Sequence, residues 1–135
     1  MKLVRWRYLI LAVISPKNLS DLGDVIAKTL RKNMVKMFGF IHYASAKLKM
    51  LYCSAERGII VVQCSHKYLS KVRAALTLIS EVEGIPVIVR TLKVTGLKGK
   101  AIEYAKSYNT RIIMDIKSKI NRLLEKYKMM KPSQS

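Results

Sequence analysis

The sequence has few acids, few cysteines and no long apolar run. Its 135 residues include 8 Asp and Glu against 26 Lys and Arg, which gives a formal charge of +18. So few carboxylates, mostly beside lysines or at predicted helix ends, do not predict a pair for general acid–base catalysis. The longest apolar run, residues 9–14, is far below the ~20 residues of a membrane-spanning helix, and no signal-peptide cleavage site follows it. We therefore expect a cytoplasmic protein with no membrane contact.

The small number of cysteines and histidines limits metal chemistry. Cys53 and Cys64 fall on opposite arms of a predicted hairpin but out of register, so we expect reduced thiols packed as small hydrophobic residues. His66 follows Cys64 by two positions, which is not a zinc-binding spacing. The sequence therefore predicts no metal site and no cofactor bound by the protein.

The residues that are abundant predict one folded domain. Half of the chain is hydrophobic, which excludes a disordered basic tail. β-Branched and aromatic residues predict strands at 4–14, 47–53, 59–64 and 85–95. Apolar residues at helical spacing predict one helix from about Ser20 to Gly39 and another over 69–83. This order is the βαββαβ pattern of α+β proteins with a ferredoxin-like antiparallel sheet, also called RRM-like, with two helices on one face.

Side-chain alternation assigns the strand positions in that sheet. The first and third predicted strands are apolar on both faces, as central strands are. The second and fourth alternate Lys or Thr with apolar residues, which is typical of edge strands. Because two helices cover only one face, we assign Leu9, Leu11 and Val13 to the open face, where they need a cover.

The C-terminal segment provides a candidate cover. From Lys98 onward the chain is strongly basic and carries an apolar stripe that includes Ile112, Ile116 and Ile120. The stripe predicts a long C-terminal helix that either folds over the open face or docks on a partner protein. We therefore divide the chain into a ferredoxin-like RNA-binding domain at 1–97 and a basic helix with a short tail at 98–135. The candidate partner-contacting residues are Leu9, Leu11, Val13, Ile112, Ile116 and Ile120.

The cations form rows that lack acidic partners. Lys28, Lys32 and Lys36 repeat every four residues on the first predicted helix, without Glu at the i+4 positions that would relieve their repulsion. A polyanion would relieve it, although a solvated lysine face is the plain alternative. The turn at 94–101 departs from a P-loop at Val94 and Ala101. The predicted RNA-binding residues are Arg5, Arg7, Lys28, Arg31, Lys32, Lys36, Lys67, Lys71, Lys98 and Lys100.

The third strand argues against one familiar way of binding RNA. RNA-recognition motifs stack bases on aromatic residues of their central strands, whereas residues 58–64 contain none. We therefore expect contacts mainly to the RNA backbone and to its shape.

Several short motifs resemble, in order and spacing, the ribonuclease P protein component 2 family, the small protein subunit of archaeal and eukaryotic type. The resemblance covers roughly residues 3–100. The motifs are Arg5-x-Arg7-Tyr8-Leu9, Phe38-Gly39, Gly58-Ile59-Ile60, Val72-Arg73-Ala74-Ala75-Leu76 and Val94-Thr95-Gly96.

The resemblance implies a noncatalytic subunit of the ribonucleoprotein that removes 5′ leaders from precursor tRNA. In that family the RNA and its Mg²⁺ ions carry out cleavage, so Mg²⁺ is expected on the partner RNA. The implied partners are the catalytic RNA, precursor tRNA within the complex, and a TIM-barrel-like protein subunit, with a possible homodimer inside a heterotetramer.

Two other functions remain open from the sequence. One is a different structural RNA-binding protein, such as a ribosomal subunit. The other is a small acylphosphatase-like hydrolase in which Arg5 or Arg7 binds phosphate. The hydrolase needs a glycine-rich loop directly after the first strand, where residues 15–18 contain no glycine.

Overall fold

The structure is a computed structural model that describes residues 4–16, 19–108 and 111–130. A 3₁₀ turn, His66–Tyr68, precedes the third helix. The predicted short tail, at 131–135, lies outside the described residues. In chain order the elements are β1 (Trp6–Ile14), α1 (Leu22–Phe38), α2 (Phe40–Ala46), β2 (Lys49–Ser54), β3 (Ile59–Ser65), α3 (Leu69–Thr77), β4 (Glu81–Val82), β5 (Ile85–Pro86), β6 (Ile88–Thr95), α4 (Lys98–Ser107) and α5 (Arg111–Met130).

The main sheet is antiparallel, with the strand order β2-β3-β1-β6. β1 pairs with β3 with Leu9 opposite Val62, and with β6 with Leu9 opposite Val94. The two strands that are apolar on both faces are therefore central, and the strands that carry lysine are at the edges. This confirms the predicted fold class and strand positions.

The two faces of β1 are the reverse of the prediction. Leu9, Leu11 and Val13 are buried in the core formed with α1 and α3, beside residues such as Ile26 and Leu76. Our assignment of these three residues to the open face, and to a partner protein, is wrong. Since both faces of β1 are apolar, alternation alone does not distinguish which face the helices cover.

The opposite face of the sheet is covered by α4 and by part of α5. Ala101 and Ala105 of α4 are fully buried in a second core with Ile10 and Val61. Their small side chains let the helix backbone lie close to the sheet. The Arg57 guanidinium donates a hydrogen bond to the Tyr108 carbonyl oxygen at 2.6 Å, which ties the end of α4 to the β2–β3 loop.

The predicted long C-terminal helix is two helices. Ile116 and Ile120 of α5 pack against the second core. Of the two alternatives that the sequence leaves open, α4 and the first half of α5 therefore take the first, folding over the sheet. The side chain of Ile112, the third predicted stripe residue, lies outside the described part of the chain. Among the described residues, no helix combines the length and apolarity needed to cross a membrane.

Two local elements were not predicted. The short helix α2 begins immediately after Gly39, where the sequence predicts only the end of a helix. The helix predicted over 69–83 ends at Thr77, and β4 and β5 follow as a hairpin. Glu83 and Gly84 join these strands with φ of 52° and 79°, the pair of positive values that a two-residue hairpin turn of type I′ requires.

Candidate nucleic-acid interface

The outer face of α1 is a row of exposed cations. Its inner face buries apolar residues including Leu22, Ile26, Leu30 and Met34 against the sheet. Because these residues turn one side of the helix toward the sheet, the positions on its opposite side face solvent. The exposed cations on this face are Lys28, Arg31, Lys32 and Lys36, as predicted.

Aromatic rings hold two of the predicted cations where α1, α2 and α3 meet. The Arg31 guanidinium carbon lies 5.6 Å from the Tyr43 ring centroid. The Lys71 ammonium lies 5.8 Å from the Phe38 ring and 5.6 Å from the Tyr68 ring. Such contacts are worth about 0.5–1 kcal/mol each at exposed sites. They therefore restrict the positions of both side chains but leave their positive charges in place.

Lys71 also connects two rows that are far apart in the sequence. It belongs to the Lys67 and Lys71 row at the start of α3, and its ring partner Phe38 is the last residue of α1, the helix whose final turn carries Lys36. Asn33 of α1 donates a hydrogen bond to the Ala75 carbonyl oxygen of α3 at 3.1 Å. The C-terminal end of α1 and the start of α3 therefore form one surface.

Two predicted arginines, Arg5 directly before β1 and Arg7 on β1, lie at the same end of the sheet as the start of α3. The Arg5 carbonyl oxygen accepts a hydrogen bond from the His66 amide at 2.7 Å, which places the start of β1 beside Lys67. Arg7 donates from Nη1 to the Trp6 carbonyl oxygen at 3.0 Å. The same Nη1 would be 2.9 Å from a Cβ added to Gly96, so Arg7 lies against the turn that leads to Lys98.

These contacts define a basic end surface, composed of Arg5, Arg7, Lys36, Lys67, Lys71 and Lys98. Most of its members are exposed, while Arg7 and Lys71 are half-buried. The topology explains the clustering, because β1 starts where β3 and β6 end in this antiparallel sheet. The exposed face of α1 continues the surface from Lys36 toward Lys28.

Lys100 is separate from this surface. It lies on α4, on the opposite face of the sheet, where it lines a shallow depression of about 300 Å³ with Lys93, Glu103 and Tyr104. The Lys93 ammonium is 5.0 Å from the Tyr104 ring centroid. The structure therefore does not bring Lys100 together with the arginines of β1.

The ring partners were missed at the sequence level. Tyr43 belongs to α2, which was not predicted, and Tyr68 belongs to the 3₁₀ turn before α3. Their contacts with Arg31 and Lys71 join residues that follow no single periodic pattern. Only the three-dimensional arrangement of the helices identifies these aromatic residues.

The two thiols differ in burial. Cys64 is buried, and desolvation raises the pKa of its thiol to about 11 even though the nearby Arg7 charge opposes the shift. Cys53 is exposed, so the prediction of a packed thiol is right for Cys64 and wrong for Cys53. Partial burial also raises the Cys53 pKa, against a lowering contribution from the Gly23 amide. Both cysteines are free, as predicted. Within the described ranges, no three His, Cys, Asp or Glu side chains form a metal-binding group.

Comparison with known proteins gives related chains at the level of sequence and of fold. The Rpp14/Pop5 family matches residues 7–106. Ribonuclease P protein component 2 of Archaeoglobus fulgidus is 35% identical over 92 residues, which are 68% of this chain and 80% of that protein. A chain in the cryo-EM structure of yeast ribonuclease MRP has a TM-score of 0.54 at 12% identity, covering 96% of this chain and 99% of that chain. At that identity the structural likeness shows the fold alone.

The matched span of sequence includes the β2-β3-β1-β6 sheet except Trp6, α1 and α3 on one face, and almost all of α4 on the other. It also includes the motifs that carry the resemblance, apart from the first two residues of the Arg5-x-Arg7-Tyr8-Leu9 motif, and this resemblance is confirmed. The chain belongs to the Rpp14/Pop5 family.

Proposed function

We propose that this chain is a noncatalytic protein subunit of ribonuclease P, which binds the catalytic RNA and stabilises the fold that removes 5′ leaders from precursor tRNA. Membership of the Rpp14/Pop5 family and the match to ribonuclease P protein component 2 support a ribonuclease P-type subunit. The observation that carries the RNA-binding part is the basic end surface, in which the Lys71–Phe38 and Arg7–Gly96 contacts join cations from separate elements.

The mechanism we propose is electrostatic. Folded RNA brings phosphates close together, and condensed counterions must screen their repulsion. The end surface and the outer face of α1 supply cations that are covalently fixed to a rigid scaffold and displace those counterions. The displaced ions gain entropy, so the protein lowers the Mg²⁺ concentration at which the RNA keeps its active fold. Mg²⁺ itself is expected on the RNA.

The proposed site contacts RNA without stacking bases on the middle of the sheet. Ala101 and Ala105 of α4 fill the face over Ile10 and Val61 that an RNA-recognition motif leaves open. The cations are instead on the α1 face and at the end of the sheet. This arrangement favours contacts to phosphates and to helix shape, which do not depend on base identity.

We propose as partners the catalytic RNA, precursor tRNA within the complex and a TIM-barrel-like protein subunit. A homodimer within a heterotetramer belongs to the same proposal, as does a cytoplasmic location. Among the residues proposed to face other proteins, Ile116 and Ile120 are half-buried against the second core, so they support the attachment of α5 to the sheet more than they contact a partner.

The decisive experiment is reconstitution of precursor-tRNA cleavage from the cognate RNA and purified protein subunits at limiting Mg²⁺. Adding this chain should restore cleavage and shift the Mg²⁺ requirement to lower concentration. A variant in which Arg5, Arg7, Lys36 and Lys71 are all changed to Gln should bind the RNA more weakly and need more Mg²⁺. An equally active particle without this chain would contradict the proposal, and would favour the alternative of a different structural RNA-binding protein.

A further inference from the structure

The second half of α5 extends an apolar stripe beyond the sheet that its first half covers. Ile116 and Ile120 pack on the second core. The next residues on the same helical face are Leu123, Leu124 and Tyr127, which are 66%, 39% and 61% exposed. Every described side chain from Asn121 to Tyr127 is exposed. Large apolar side chains held together at the surface mark an interaction site more often than an ordinary solvated face.

A groove adjoins this stripe where α5 passes the end of β1 and the start of β6. Its volume is about 230 Å³, large enough for one large apolar side chain. Ile14, Pro86, Ile88, Ile120 and Leu124 line it, so it offers aliphatic and prolyl surface and no side chain with a polar group. Ile88 is itself 51% exposed. The groove and the exposed stripe together form the α5 surface.

The charges of α5 limit what can occupy this surface. Residues 111–130 contain six Lys and Arg against two acids. The exposed cations Lys119, Arg122 and Lys126 are spaced three and four positions apart, so they run beside the stripe. A second copy of the chain would bring like charges together. RNA would meet the cations but would leave an aliphatic groove without a base-stacking ring.

We infer that the α5 surface docks a partner protein that inserts an aliphatic or aromatic side chain into the groove and places carboxylates against Lys119, Arg122 and Lys126. This inference rests on the proposed function, since the partner is a second protein subunit of the same ribonucleoprotein. The apolar anchor supplies most of the affinity, and the paired charges orient the partner and exclude basic ones.

The test uses the full-length chain and each of the other ribonuclease P protein subunits of the same organism, purified singly without RNA. Binding is measured by isothermal titration calorimetry for the native chain, Leu124→Asp, Leu123→Asp and the control Ile41→Asp. Ile41 is 79% exposed on α2, on the other face of the sheet. Circular dichroism confirms that each variant is folded. If Leu124→Asp does not fold, Leu123→Asp, which changes a more exposed residue, provides the comparison.

One subunit should bind the native chain and Ile41→Asp equally, and the α5 variants about tenfold or more weakly, as expected for a buried anchor. A double charge reversal, Arg122→Glu with Lys126→Glu, should also weaken binding and reduce its salt dependence. Failure of every subunit to bind the native chain would overturn the inference. Binding of Leu124→Asp and Leu123→Asp that is as tight as binding of the native chain would also overturn it. Loss of self-association in these variants would identify a second copy as the occupant, and loss of RNA affinity would identify RNA.

Failure of this inference differs from failure of the proposed function. RNA binding and restored cleavage are measured with the same preparations. A chain that restores cleavage but whose protein binding ignores Leu123 and Leu124 contradicts the docking surface alone. A chain that neither binds the RNA nor affects cleavage contradicts the proposed function, whatever α5 binds.

Discussion

The guanidinium of Arg7 lies against the backbone of Gly96, so that a Cβ at position 96 would be 2.9 Å from Nη1. This contact joins the first strand to the turn before α4. The absence of a side chain at Gly96 lets the half-buried arginine lie over the turn, within the basic end surface.

Substitution of Gly96 should therefore act through Arg7. In Gly96→Val the flexible end of Arg7 must move, which should change stability little but weaken RNA binding to nearly the level of Arg7→Gln. Filter binding of the RNA at several salt concentrations measures the effect. The double variant should bind like Arg7→Gln alone, because the valine has nothing further to displace. Additive losses would show that Gly96 acts independently.

The cationic face of α1 should contribute measurably to the salt dependence of RNA binding. Changing Lys28, Lys32 and Lys36 together to Gln should flatten the log–log slope by about 0.7–0.9 for each phosphate that the variant no longer neutralises. Changing the exposed lysines 49, 106 and 126 to Gln removes the same charge elsewhere and serves as the control. An unchanged slope in the α1 variant would refute the contribution of this face.

Leu11 should be required for folding and not for docking. It is fully buried beneath α1 and α3, so Leu11→Ala should lower the free energy of unfolding by about 2–5 kcal/mol. Leu11→Asp should prevent cooperative folding, since it places a carboxylate in the core without a partner. Urea denaturation measures both variants. The same charge in Ile41→Asp should be tolerated, and a folded Leu11→Asp protein would contradict the assignment of the two faces.

Gly58 should tolerate substitution less well than Gly84, although both have positive φ. A Cβ at Gly58 (φ +69°) would lie 2.5 Å from the Val13 carbonyl oxygen, whereas nothing lies within 4 Å of one at Gly84 (φ +79°). In Gly84→Ala, backbone strain alone should lower the free energy of unfolding, by about 1–2 kcal/mol. Gly58→Ala adds a clash with rigid backbone, so its free energy of unfolding should fall further. Thermal denaturation of the pair isolates the clash, and equal losses would contradict it.

The buried thiol predicts a pH dependence of stability in the alkaline range. Burial raises the Cys64 pKa from 9.0 to about 11, so the folded state holds this proton more tightly than the unfolded state. The contribution is complete below about pH 9 and is lost as pH rises toward 11. Native protein should therefore lose more stability than Cys64→Ala over this interval, as measured by denaturation. At pH 8, alkylation should label Cys53 before Cys64.

The sequence predicts the sheet well because each strand carries its own evidence. Lys49 and Lys93 mark the edge strands, and the uninterrupted apolar run of β1 marks a central one. The sequence does not determine which of the two equally apolar faces of β1 is covered by α1 and α3. Leu11 and Ile10 are both fully buried, in different cores, and only the path of the connecting helices decides which lies beneath α1.

The site was predicted residue by residue but not as a surface. Lys71 and Lys36 follow from helical spacing, whereas their junction depends on Phe38 and Tyr68, which are brought together by packing of α1 and α3. Lys100 shows the converse. Lys98 and Lys100 both lie in the first turn of α4, yet residues two apart on a helix do not share a face, and Lys100 lines the depression beside Lys93.

The closure of the sheet by α4 has a consequence for shortened forms of the protein. A fragment ending before Lys98 would keep its strands and most of its cations but would uncover Ile10, Ala12, Ile59 and Val61. Such a bare hydrophobic sheet promotes aggregation. Loss of activity in that fragment would therefore report insolubility, and solubility must be established before any deficit is attributed to missing lysines.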